Sequence, residues 1–199
     1  DTAQQDGYYL DHAAGMRIIK FFHTFLKHTK GKSAGKPFIL SPYQQFTLYN
    51  LFGWKEIKFD NQGNRADIRR INEVYEKVAK KNGKTAVMAG VGLYGISIEG
   101  EQGAEVYVGA TKEEQAKLCF KQASEMVNAS SDLKKAGFIT YQRSVEFKPS
   151  NSKIVPLGGD SKTQDGINAS ISIIDEYHAH KDDSVKENLE SSMASRRQP

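Results

Sequence analysis

The chain has 199 residues, a formal net charge of +4 and 38% hydrophobic, 26% charged and 10% aromatic residues. That is the composition of a globular domain with enough length to bury a core, and it excludes a disordered or disulfide-stapled chain. No apolar run approaches the roughly 20 residues that span a bilayer, and the excess of positive charge admits a polyanionic partner without requiring one. The lone Cys119 fits a reducing compartment and reads as a small buried hydrophobe rather than a nucleophile. The sequence begins without Met and stops at Arg196-Arg197-Gln198-Pro199, so it reads as a segment of something longer.

In chain order, Leu10 to His28 predicts an amphipathic helix, with Ile18, Ile19, Phe22, Phe25 and Leu26 at helical spacing. Gly31 to Pro37 breaks it. A second helix is expected from Tyr43 to about Leu51, with Pro42 in its first turn, and a turn at Asp60 to Asn64. The alternation in Asn72 to Val78 predicts a strand, followed by a loop, Ala79 to Lys84, and a helix from Thr85 to about Ile96. Gly90, Gly92 and Gly95 lower the propensity of that helix, which close packing against a sheet would offset. A buried strand is expected at Ala104 to Ala110. A capping box, Thr111-Lys112-Glu113-Glu114, then opens a helix with Ala116, Cys119, Phe120, Ala123 and Met126 on one face. Short strands are expected at Phe138 to Tyr141, Val145 to Phe147 and Lys153 to Leu157, and a last apolar strand runs from Ala169 to Ile174. Strands alternating with helices predict an α/β fold with a mostly parallel sheet covered on both faces.

Two motifs carry chemistry. Gly83-Lys84-Thr85 lies between a predicted strand and a predicted helix. A glycine there lets the backbone wrap phosphate oxygens, the helix N-terminus offers free N–H groups, Lys84 neutralises phosphate charge and Thr85 ligates Mg²⁺. The full phosphate-loop pattern has a further glycine where Val78 stands. A decoy, Gly31-Lys32-Ser33, follows a helix and leads into Ala34-Gly35-Lys36-Pro37, so context rejects it. The second motif is Asp175-Glu176, two acids at the C-terminal end of an apolar strand, where parallel sheets bind ligands. Asp175 is placed to hold a magnesium ion's water shell and Glu176 to activate a water. Together the motifs predict a P-loop NTPase of the RecA-like (ASCE) kind, hydrolysing ATP with Mg²⁺. His178 and His180 with Asp182 and Asp183 allow a metal cluster, but read better as residues lining or sensing the nucleotide site.

Lys80-Lys81-Asn82-Gly83-Lys84-Thr85, Glu105 to Thr111 and Ile173 to His180, with Ala34 to Phe38, Leu51 to Trp54 and Lys162 to Gly166, resemble the large subunit of tailed-bacteriophage terminase. The likeness runs from about Tyr8 to Pro199. It implies an adenine-recognising pair at Tyr43-Gln44, a phosphate loop of Lys81, Asn82, Gly83, Lys84 and Thr85, and a γ-phosphate-sensing position at Lys80. The family usually has Arg at that last position, and lysine keeps its charge but not its planar fork. The resemblance implies residues 1–40 as a helical lead-in, 41–199 as an ATPase domain that continues past this chain, and a nuclease domain further on. It also implies partners: double-stranded DNA, the portal protein, the terminase small subunit and further copies in a ring, with no membrane and in the host cytoplasm. A helicase-type translocase and a nucleotide-gated scaffold without turnover are the alternatives.

Overall fold

The computed structural model describes residues 7–59, 62–99, 101–110, 113–157, 167–180, 182–194 and 196. Part of the turn at Asp60 to Asn64, the capping box at Thr111 to Glu114 and the Lys162 to Gly166 stretch lie outside the residues whose placement or side chains are described.

The N-terminal part is a small sheet with two helices. Strand β1 (Tyr8–Leu10) pairs antiparallel with β2 (Trp54–Phe59), which pairs antiparallel with β3 (Arg65–Arg69). Helix α1 (His12–Phe25) is capped by the Asp11 carboxylate, which accepts from Ala14 N at 2.9 Å. Its inner face buries the expected Ile18, Ile19 and Phe22, and also Phe21, so the apolar stripe is wider than the spacing suggested. Helix α2 (Pro42–Gly53) crosses α1 so closely that a Cβ on Gly15 would stand 2.7 Å from the Tyr49 ring.

The larger sheet has the order β5-β6-β7-β4-β8. Its strands are β4 (Glu105–Ala110), β5 (Phe138–Thr140), β6 (Val145–Phe147), β7 (Ser152–Pro156) and β8 (Ile171–Asp175). β4 is parallel to both β7 and β8, while β5, β6 and β7 are joined antiparallel. The sheet is therefore mixed, not mostly parallel: the short connections between β5, β6 and β7 leave no room for helical crossovers.

Alternation along the strands assigns each face. Val106, Val108, Ile154 and Ile173 join one core with α3 (Lys84–Gly95), α4 (Glu113–Ala129) and α1. Tyr107, Val155, Leu157 and Ile174 turn the other way, onto Val185, Leu189 and Met193 of α6 (Ser184–Met193). Both faces carry helices, as expected. A short α5 (Ser131–Ala136) ends at Gly137 in a left-handed conformation.

The α3 glycines are contact points. A Cβ at Gly95 would lie 2.4 Å from Ile171 Cδ1, and one at Gly92 would lie 3.3 Å from Ile154, so both bring the helix onto the sheet. Gly90 faces the other way, where a Cβ would meet the Phe22 ring at 2.3 Å.

One expected strand is absent, and three strands form that the sequence did not signal. Residues 71–79 form no strand, and most of the segment is exposed. A strand inside a parallel sheet is buried on both faces and reads as nearly continuous apolar sequence. Asn72 to Val78 has three charged residues and leaves Val74 and Tyr75 exposed, so its alternation was too thin a signal. Conversely, β1 and the β2–β3 hairpin were not read, because their half-exposed strands interleave Lys, Glu, Arg and Asp among few apolar residues. No helix among the described residues is long and apolar enough to cross a membrane.

Candidate active site

The site forms where α3 begins and β8 ends. Gly83 caps α3 in the left-handed region, φ 77°, and its carbonyl accepts the first helical bond from Val87 N at 3.0 Å. Lys81 is also left-handed, φ 69°. Left-handed residues on either side of Asn82 turn the backbone sharply, and such turns gather N–H groups into an anion-binding concavity. Within the loop Asn82 Nδ2 donates to Ala79 O at 3.1 Å, and Lys84 Nζ reaches back to Val78 O at 3.3 Å. Lys80, Lys81, Asn82 and Gly83 are exposed, while Lys84 and Thr85 are half-buried.

Tyr43 and Gln44 meet this loop from the first turn of α2. Tyr43 OH donates to Asn82 O at 3.0 Å, and Gln44 Nε2 lies 3.2 Å from the same oxygen. Gln44 Oε1 accepts from Ser41 N at 2.9 Å, so one buried amide ties the start of α2 to the loop before α3. Sequence reading missed this contact, since the partners are 38 residues apart.

Asp175 is the last residue of β8, opposite Ala110 of β4. Its Oδ1 accepts from Glu176 N at 2.9 Å. Burial raises its pKa, the Glu176 charge adds to the rise, and the Glu176 N–H and the charge of Lys84 oppose it. Behind them Cys119 lies buried, its thiol directed at Thr85 O at 3.9 Å and its pKa pushed up to about 12 by burial, with the Asp175 charge adding. That thiol is inert at neutral pH.

Glu176 takes a left-handed conformation, φ 51° and ψ 42°. For a residue with a side chain this costs on the order of 1 kcal/mol. It turns the chain sharply after β8, and Glu176 Oε2 comes 3.5 Å from His178 Nε2. Tyr177 OH donates to Asp183 at 2.6 Å, and its ring meets His180 and Tyr75 edge or tilted. His178 thus stands beside the site. Among the described residues no three His, Cys, Asp or Glu side chains gather as a metal cluster.

A nucleotide-bound magnesium ion calls for hard oxygen donors, few of them from the protein. The Thr85 hydroxyl at the start of α3 and the half-buried Asp175 carboxylate supply that chemistry, so the residues present fit the ion.

A family model described as the terminase large subunit, ATPase domain, matches residues 42–199. The chain belongs to that family. Among curated relatives it is 29% identical over 164 residues to the terminase large subunit of Enterobacteria phage HK97, covering 81% of this chain and 30% of that protein. It is 26% identical over 148 residues to the terminase large subunit of Lactococcus phage p2, covering 72% of this chain and 27% of that protein. The crystal structure of the HK97 bacteriophage large terminase superposes with a TM-score of 0.74 at 25% identity, over 93% of this chain and 36% of that one. The chain thus spans about a third of the large terminase subunits it matches. The mixed sheet with helices on both faces is the fold of a terminase ATPase domain.

Proposed function

We propose that this terminase domain binds and hydrolyses Mg-ATP, and that hydrolysis drives double-stranded DNA into a procapsid. The observation that carries this reading is the left-handed backbone at Lys81 and Gly83, which turns the chain into α3 at Lys84 and Thr85, a helix that lies on β8, the strand ending in Asp175.

In this reading the left-handed turns at Lys81 and Gly83 curl the loop 79–83 round the phosphates, and Lys84 exchanges its bond to Val78 O for the β- and γ-phosphate oxygens. Thr85 and Asp175 would hold magnesium, which would supply charge neutralisation of the phosphates. Glu176 accepts the proton of the attacking water, and its left-handed backbone turns the chain after β8. Lys80, exposed in the loop, supplies a second positive charge near the γ-phosphate. Tyr43 and Gln44 flank the loop where the base would emerge, and Gln44 also fixes the Asn82 carbonyl. The wider assembly follows the family: a ring of copies on the portal, with the small subunit selecting DNA and a nuclease domain elsewhere in the protein.

Lys84→Ala tests the site. It should abolish Mg-ATP binding measured by calorimetry, and normal affinity in that variant would remove the phosphate loop from the proposal.

A further inference from the structure

The sequence has no Asp or Glu between Asp11 and Glu56, yet that stretch holds Arg17, Lys20, Lys27, Lys30, Lys32, Lys36 and Lys55. Its charge alone exceeds the +4 of the whole chain, so the remainder is net negative. Helix α1 and the residues that follow it to Lys36 carry six of these seven. α1 turns Ala14, Gly15, Ile18, Ile19, Phe21 and Phe22 inward and leaves Arg17, Lys20 and Thr24 exposed on its outer face. Beyond the helix, Lys30, Lys32 and Lys36 are exposed on the turn that follows.

That turn has a fixed backbone. His28 N donates to Lys36 O at 3.0 Å, Gly35 N donates to His28 O at 2.8 Å, and Lys27 bridges to Pro37. The His28 ring stacks on the buried Phe38 at 4.5 Å. Glu125 of α4 reaches this face, where it accepts from Thr29 at 3.1 Å and pairs with Lys30 at 3.2 Å. Lys30 is 65% exposed, so that pair is weak and a phosphate can replace it.

From this geometry we infer that the outer face of α1 and the 28–36 turn form a contact surface for the phosphate backbone of double-stranded DNA. The inference rests on the reading of the domain as a DNA motor and names the side of it that meets the duplex. Arg17 to Phe25 spans about 12 Å at 1.5 Å per residue. Each strand of a duplex presents about three to four phosphates over that length. Contacts from such side chains to phosphate oxygens carry no sequence information, which suits binding independent of sequence.

The test is the triple variant Lys20→Gln, Lys32→Gln, Lys36→Gln in the protein, beside a control triple of exposed lysines elsewhere, Lys58→Gln, Lys134→Gln, Lys135→Gln. Affinity for a 30-base-pair duplex is measured without Mg²⁺ over a range of salt, and ATP hydrolysis is measured without DNA. The surface variant should bind duplex about tenfold or more weaker, and its slope of log K against log salt should fall by about 2 to 3, roughly 0.9 for each phosphate no longer neutralised. Its hydrolysis without DNA should be unchanged, and the control should keep affinity and slope. Equal affinity and slope in the surface variant and the parent, or an equal weakening in the control, would overturn the inference. So would a parent protein that binds phosphatidylserine vesicles but no duplex. Parent hydrolysis without DNA reports on the ATPase reading separately, so the two claims fail independently.

Discussion

Asp175 has its pKa raised above the ordinary carboxylate value chiefly by burial, so folding favours its protonated form. For such a group the stabilising contribution is present at low pH and is lost as pH rises through the raised value. At neutral pH the protein holds a charge it would be more stable without, which is the expected condition of a residue kept to bind a cation. Asp175→Asn should therefore raise the melting temperature of the nucleotide-free protein at pH 7 while abolishing Mg-dependent turnover. The gain should shrink as pH falls through the raised value and be gone below 3.8, the ordinary value, where the wild-type carboxyl is neutral too. Scanning calorimetry across pH checks this, and a variant less stable at pH 7 would contradict the assigned balance. Gln44 belongs to the same scale. Both ends of its amide are engaged, by Ser41 N and Asn82 O, so Gln44→Ala should weaken ATP and GTP binding alike, by about tenfold for removal of a buried amide hydrogen bond. Loss of ATP affinity with GTP affinity intact would instead give the amide to the base.

At the scale of elements, α3 carries the site because its glycines let it lie between α1 and the sheet. The two close approaches differ in how far the neighbour can yield. At Gly90 an added Cβ meets the Phe22 ring, itself held edge-on to the Phe38 and Phe21 rings. Gly90→Ala should cost about 1–3 kcal/mol by overpacking, offset in part by helix propensity. At Gly95 the Cβ meets the tip of Ile171, which can change rotamer, so Gly95→Ala should cost less. Urea unfolding of both variants decides the order. Elements with strong local signals were legible in the sequence: the apolar stripe of α1, the single face of α4 with Ala116, Cys119, Phe120, Ala123 and Met126, and the short strands β5, β6 and β7. The β2–β3 hairpin was not legible, since its stability comes from pairing rather than from an apolar face, and the strand expected at Asn72 to Val78 rested on alternation without enough apolar surface to bury. Within the site, Lys84, Thr85, Asp175 and Glu176 follow from local motifs, whereas the Gln44–Asn82 link depends on how α2 docks.

Across the whole molecule, α1 is part of the same buried core as α3 and the sheet, through Ile18, Phe22, Leu26, Leu93 and Val106. The N-terminal helix and the site therefore share one core. Phe22→Ala, at a fully buried ring, should destabilise by about 3–5 kcal/mol, and the protein should still unfold in one transition. A separate early transition would mean that α1 is only loosely attached. The same arrangement places a basic outer surface on the helix that supports α3, so binding on that surface and nucleotide chemistry at the loop have a short physical path between them.

The proposed motor depends above all on the ends of α3 and β8 forming a hydrolytic site. Mg-dependent ATP hydrolysis by the protein, with and without duplex DNA, beside Glu176→Gln, tests that directly. Turnover should rise with duplex and fall at least about a hundredfold in the variant, with Mg-ATP binding retained. Near-normal turnover in Glu176→Gln would contradict the assignment.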